Sequence, residues 1–237
     1  MASLWKKTVA WLGGADLAVL VSVFVILVGL WVFIAVAHGV EAGSTLQLDV
    51  KLLQALRDPD DAHHSIGPRW LEEIGRDLTA LGGVAGLSLL TLAVSGYLAI
   101  TRKWGALAFL LAATLGGLLL STLLKDSFHR PRPDVVPWMS QAVTSSFPSG
   151  HSMNSAVVYL TLGSLLARLA GQRLLKLYFL SVALILTFLV GISRVYVGVH
   201  YSTDVLAGWS AGIVWALLCS LAARWLQQRG VVENEAL

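Results

Sequence analysis

The chain has 237 residues, 56% of them apolar, with only 17 Lys and Arg and 14 Asp and Glu. A charged share of 13% is far below that of a soluble domain, which excludes a water-soluble globule and points to a bilayer. The formal charge of +3 rests on basic residues scattered in twos and threes between apolar blocks, with no polybasic run, so nucleic acid is not an expected partner.

Apolar blocks at 17–37, 78–100 and 104–124 are each long enough to cross a membrane as a helix. Lys6 and Lys7 before the first block, and Ala35-Val36-Ala37 at its end, imitate a secretion signal, but the block is longer than a signal core of about 7 to 15 residues. Blocks at 152–167 and 177–192 are shorter, and Arg168 and Lys176 at their facing ends can snorkel and let them extend. A last block covers 205–223, and Trp5, Trp11, Trp104, Trp209 and Trp225 stand at or near block ends, where indole favours the interface. The expectation is an all-α polytopic membrane bundle of six transmembrane helices, forming one domain over 1–237. Cys219 is the only cysteine, which rules out an intrachain disulfide and a thiolate zinc site.

Sorting charges by side sets the orientation. Lys6, Lys7, Arg102, Lys103, Arg168, Arg173, Lys176, Arg224 and Arg229 share one side, with only Asp16, Glu233 and Glu235 as acids. That side is expected to be cytoplasmic, with both termini on it, in a plasma membrane. The acidic segment 39–77 becomes an external loop. Leu46, Val50, Leu53 and Leu56 recur at helical spacing, as do Trp70, Ile74 and Leu78, so two short interfacial helices are expected there, joined by a turn at Asp58-Pro59-Asp60-Asp61.

Two further external segments hold the chemistry. Lys125, Arg130, Arg132 and Arg194 place four cations on the side that should be poor in them, and Asp126 and Asp134 are too few and too local to neutralise the set. An anionic ligand fits the excess. Phe147-Pro148-Ser149-Gly150-His151 stands just before an apolar run, where a helix start exposes free N–H groups, so Ser149 and Gly150 are placed either to bind an anion or simply to cap the helix. His200 and Asp204 are four residues apart and share a face if helical. The carboxylate can then hold one ring nitrogen as N–H and leave the other as a nucleophile or base. His151 is the one nearby third ligand for a metal, and no carboxylate cluster stands beside it, so chemistry without metal or cofactor is expected. His38, His63, His64 and His129 read as interfacial or exposed, His129 being the one of them first expected to touch the substrate.

Lys125-x6-Arg132-Pro133, Pro148-Ser149-Gly150-His151 and Ser193-Arg194-x5-His200-x3-Asp204 stand in order within 125–204 and resemble the three-part signature of the type 2 phosphatidic acid phosphatase superfamily. The resemblance implies a hydrolase of phosphorylated membrane lipids acting at the outer face. It implies His200 as nucleophile forming a phosphohistidine, Asp204 orienting it, and His151 as general acid and base. Lys125, Arg132, Arg194, Ser149 and Gly150 would bind the phosphate. Arg130-Pro131 offers a second Arg-Pro pair, so Arg130 is left either an accessory cation or without a role. Undecaprenyl diphosphate is the first expectation for substrate, with phosphatidic acid and phosphatidylglycerol phosphate beside it. Lipid-to-lipid phosphotransfer, lipid A dephosphorylation and a non-enzymatic transporter are the alternatives. Ionisable residues near the middle of a span, usual in transporters, are missing from the predicted helices.

Overall fold

The computed structural model describes residues 17–138 and 144–228, so Trp5, Trp11, Lys6, Lys7, Asp16, Arg229, Glu233 and Glu235 of the charge argument lie outside the described residues. The described part is helical: α1 (Leu17–Glu41), α2 (Leu46–Ala55), α3 (Arg69–Leu81), α4 (Val84–Ile100), α5 (Trp104–Ser127), α6 (Gly150–Leu169), α7 (Arg173–Tyr196) and α8 (Ser202–Gln228). Among the described residues the β-type pairing is an isolated antiparallel bridge between Arg57 and Ser65.

Four helices, α1, α5, α7 and α8, are long and apolar enough to cross a bilayer, and α3 with α4 makes a fifth when the bent pair is taken as one span. The expected continuous helix at 78–100 is therefore corrected: it breaks at Gly82-Gly83 and bends by 50°. Two successive glycines are weak helix formers, and at Gly82 a Cβ would overlap Val190 Cγ1 of α7, so only glycine fits where the chain presses on that helix. The expected helix at 152–167 is present as α6, but it is less apolar than the four spans. It lies at the centre of the bundle, packed most extensively on α7 and α8 and then on α5. Twelve of its residues are buried, including Ser152, Ser155, Thr161 and Gly163. Small and hydroxyl residues at such contacts let helix backbones approach closely. α1 shows the converse: it is the most apolar span and the least buried, with Phe24, Trp31 and Ile34 each more than 60% exposed.

The centre is set by glycine. Gly208 and Gly212 lie one turn apart on α8, and a Cβ at either would stand 2.6 Å from a backbone oxygen of the α6 strand of chain, Ser149 O and Met153 O respectively. Helix backbones reach such proximity only through small residues at i and i+4. On the other side of α6, Gly163 meets Ala183 of α7 in the same way.

The C-terminal ends of α5 and α7, the N-terminal ends of α6 and α8, and the α3–α4 break converge at one end of the bundle. α2 packs on α8 and α3 on α7 at that end. The loop between α5 and α6 is pinned by Phe128 and Phe147, whose rings meet edge to face at 4.9 Å and pack on Phe33 of α1. Arg168 and Arg224 lie at the opposite end, close enough to feel each other's charge.

Gly212→Leu is expected to lower the melting temperature in detergent, because overpacking against a backbone costs about 1–3 kcal/mol. Gly96→Ala, where a Cβ meets nothing within 4 Å, is the control and should melt no lower than the parent.

Candidate active site

The third motif is two turns of chain joined by one glycine. α7 ends in a Schellman turn: Val199 N–H donates to Arg194 O at 3.2 Å and Gly198 N–H to Val195 O at 3.0 Å, with Gly198 at φ +81°. This reversal carries His200 back over Arg194. α8 then starts at once, and Asp204 in its first turn reaches back to accept the Tyr201 N–H at 3.0 Å, the reciprocal half of a capping box. The five-residue and three-residue spacings of the motif are thus the length of a helix stop and of a helix start.

His200 is 1% exposed and Asp204 fully buried. His200 Nδ1 faces Asp204 Oδ2 at 3.4 Å, and its Nε2 faces an Arg132 Nη1 at 3.2 Å. An Arg can only donate, so Nε2 must hold a lone pair and Nδ1 the proton. The neighbours therefore select the neutral tautomer. Burial, together with the charges of Arg132 and Arg194, pulls the His200 pKa below the ordinary imidazole value to about 4, against the opposing pull of Asp204.

Arg130-Pro131-Arg132-Pro133 places each Arg before a Pro, which forces extended backbone, and the two-residue repeat turns both side chains the same way. Arg132 reaches the His200 side of the site and also donates to Thr144 O at 2.8 Å and Val199 O at 2.9 Å. Arg130 resolves differently from either expectation. It bridges Asp204 Oδ1 at 2.6 Å and Asp49 Oδ2 at 2.8 Å, donates to Thr203, and lies 4.2 Å from the Tyr201 ring centre. Burial disfavours its charge, but the two carboxylates prevail and raise its pKa. One of the four cations of the motif region is thus neutralised by protein, through Asp49 and Asp204 rather than Asp126 or Asp134.

Lys125, in the last turn of α5, lies over the start of α6, where a Cβ at Gly150 would come within 3.0 Å of its Cε. Its Nζ donates to Ser145 O at 2.8 Å beside a cavity of ≈ 330 Å³ that His129 also lines. Ser149 is the N-cap of α6: its hydroxyl oxygen accepts from Ser152, and its own N–H donates to Asp204 O at 2.9 Å. Ser149 is therefore tied into the α6–α8 junction, and the N–H groups of Gly150 and His151 are the ones without an intrahelical acceptor. Arg194 is 2% exposed, and its Nε and one Nη have no hydrogen-bond partner among the described residues. His151 feels the charges of Arg194, His200, Lys125 and Arg132, so the candidate residues form one electrostatic cluster. Among the described residues, no group of three or more His, Cys, Asp or Glu side chains is arranged to hold a metal ion.

Three contributors escape a reading of the motifs alone. Ser146 donates to Asp204 Oδ2, Thr144 accepts from Arg132 at 3.3 Å, and Asp49 of α2 accepts from Ser202 Oγ at 2.6 Å, Thr203 N at 3.1 Å and Thr203 Oγ1 at 2.6 Å. Asp49 is fully buried and serves as a cap for α8 supplied from outside that helix. The signal was an acid four residues before Leu53 on the buried face of an interfacial helix.

Residues 105–228 match the PAP2 superfamily. The chain belongs to that family. It is 39% identical to phosphatidylglycerophosphatase B of Bacillus subtilis over 154 residues, covering 61% of this chain and 71% of that protein. It is 31% identical to a lipid A 1-phosphatase of Rhizobium etli over 179 residues, covering 65% and 72%. The crystal structure of the first transmembrane PAP2 type phosphatidylglycerolphosphate phosphatase from Bacillus subtilis superposes with a TM-score of 0.75 at 30% identity, covering 85% of this chain and 96% of that one. Apolar spans and membrane PAP2 relatives together make this an integral membrane protein.

Two measurements test the cluster. In a double-mutant cycle on melting, Asp49→Ala and Arg130→Ala are expected to couple by about 1–3 kcal/mol, as residues in one buried network do. Because folding lowers the His200 pKa from 6.5 to about 4, the folded state binds fewer protons between those values. Stability should therefore fall as pH drops through that window, and the fall should be shallower in His200→Gln.

Proposed function

We propose that this PAP2 member removes a phosphate from a membrane lipid through a phosphohistidine on His200. The observation that carries the reading is the forced tautomer of His200, with a lone pair on Nε2 facing Arg132, which makes no direct ion pair with a carboxylate among the described residues. A substrate phosphate entering here takes Arg132 from Nε2 onto its own oxygens, with Lys125, Arg194 and the Gly150 N–H around it. Cations on the equatorial oxygens offset the repulsion that otherwise keeps a nucleophile away from phosphorus.

Nε2 attacks phosphorus as the bond from phosphorus to the lipid oxygen breaks. His151, protonated under the influence of the bound phosphate, gives that oxygen its proton. Asp204, held by Arg130, Ser146 and the Tyr201 N–H, stabilises the positive charge that develops on the ring. Water then attacks the phosphohistidine while His151 takes its proton, and phosphate leaves. Each step uses only side chains of this site, and the reaction is read as independent of metal.

The relatives are named for phosphatidylglycerophosphate and lipid A, which join phosphatidic acid and undecaprenyl diphosphate as candidate substrates. A six-span topology accompanies this reading. α6 has 20 residues, about 30 Å at the helical rise, which suffices for the hydrocarbon core. Arg102, Lys103, Arg168, Arg173, Lys176 and Arg224 lie away from the site, which supports a cytoplasmic placement for them and an outward-facing site in the plasma membrane.

Purified His200→Ala should lose phosphate release almost completely while still binding substrate, and undiminished turnover would refute the mechanism. His151→Ala should slow release of both the lipid alcohol and phosphate, because both steps use its proton. Activity should persist in excess EDTA, and label from the substrate should appear as free phosphate rather than in a second lipid.

A further inference from the structure

A groove of ≈ 260 Å³ runs between α4 and α5 against α6, lined by Val84, Leu92, Leu115 and Leu118 among others. These four side chains are between 47% and 70% exposed, so the groove opens sideways to hydrocarbon. Its upper end adjoins the active site. Val84 follows Gly83, and a Cβ at Gly83 would lie 3.8 Å from His151 Nε2.

One residue in this apolar wall is out of keeping with it. Asn154 follows His151 by three positions on α6, about 4.5 Å along the axis from it. Its Oδ1 is buried with no hydrogen-bond partner among the described residues. Ser88 and Thr91 bring two hydroxyls to the same groove, whereas Thr114 engages its own helix at Leu110 O, 2.8 Å away. A buried amide without a partner is unfavourable in any fold and more so at the depth of lipid tails. Such a group is retained at little cost if a ligand completes it. A carboxamide can present either its oxygen or its NH2 by turning about its last torsion, so it serves an acceptor or a donor on that ligand.

We propose that this groove seats the linker and upper chains of the substrate, and that Asn154 is a specificity-determining residue that hydrogen-bonds an ester, amide or hydroxyl next to the scissile phosphate. The inference rests on the lipid phosphatase reading above. Acylated glycerol phosphates and acylated glucosamine phosphates carry such groups within reach of the phosphorus. A polyprenyl monophosphate carries none, and a polyprenyl diphosphate offers only its charged inner phosphate, which an apolar wall does not suit. The groove therefore favours acylated lipid phosphates, in place of the undecaprenyl diphosphate first expected.

The test compares kcat/KM of the wild-type protein on phosphatidic acid, phosphatidylglycerol phosphate, lipid A, undecaprenyl phosphate and undecaprenyl diphosphate in matched detergent. p-Nitrophenyl phosphate serves as a substrate without a tail. At least one acylated substrate should outrun both polyprenyl ones, and which of the three does so separates the glycerol from the sugar source. Asn154→Leu should reduce the ratio of acylated to polyprenyl kcat/KM about tenfold, the effect of one interhelical-strength hydrogen bond in an apolar setting, and Asn154→Gln should recover part of it. Equal or better turnover of a polyprenyl substrate by the wild type overturns the proposal, and this arm needs no variant to fold. A fall in Asn154→Leu that is equal on both classes makes the residue a packing element and also overturns it. Hydrolysis of none of the substrates, p-nitrophenyl phosphate included, would instead overturn the phosphatase reading itself.

Discussion

The backbones of α6 and α8 touch, and most of what makes this chain a candidate enzyme depends on that contact. His151 stands at the start of one helix and Asp204 at the start of the other, with His200 on the turn just before it. Gly208 and Gly212 leave no side chain between the helices, so Ser149 can donate its N–H to the Asp204 carbonyl and fasten the two starts together. In a bilayer no hydrophobic drive brings helices together, and close packing with backbone polar contacts has to do so. The precision of the site is therefore inherited from van der Waals contact deep in the bundle.

Around that junction the carboxylate of Asp204 is held from three directions, by its own helix start, by the loop through Arg130 and Ser146, and at one remove by Asp49 of α2. A buried carboxylate is tolerable only when charge and hydrogen bonds surround it. The segment between α1 and α3 thus belongs to the site. Without Asp49, Arg130 would keep only Asp204 as a carboxylate partner, and three N-terminal groups of α8 would lose their acceptor.

Much of this was legible in the residues. Apolar length located the long helices, and the three motifs located seven of the side chains that meet at one end, because a helix end or a Pro-fixed extended strand converts spacing into direction. What escaped detection was long-range. Asp49 reads as one polar residue on an amphipathic helix, and its partners are more than 80 positions away. The break at Gly82-Gly83 was hidden inside a charge-free run long enough for one helix, and the contact that reserves Gly82 for glycine comes from Val190, far along the chain. α6 was legible as a helix, and its hydroxyl and small residues, which lower its apolar content, go with its packing on α5, α7 and α8.

Arg194 ties the stability of the fold to what it binds. Its guanidinium is almost sealed from water, and its Nε and one Nη have no hydrogen-bond partner among the described residues. A buried charge is costly to the fold unless an opposite charge meets it. A tetrahedral oxyanion bound beside Arg194 brings that charge, so resistance to unfolding and affinity for phosphate are two readings of one interaction.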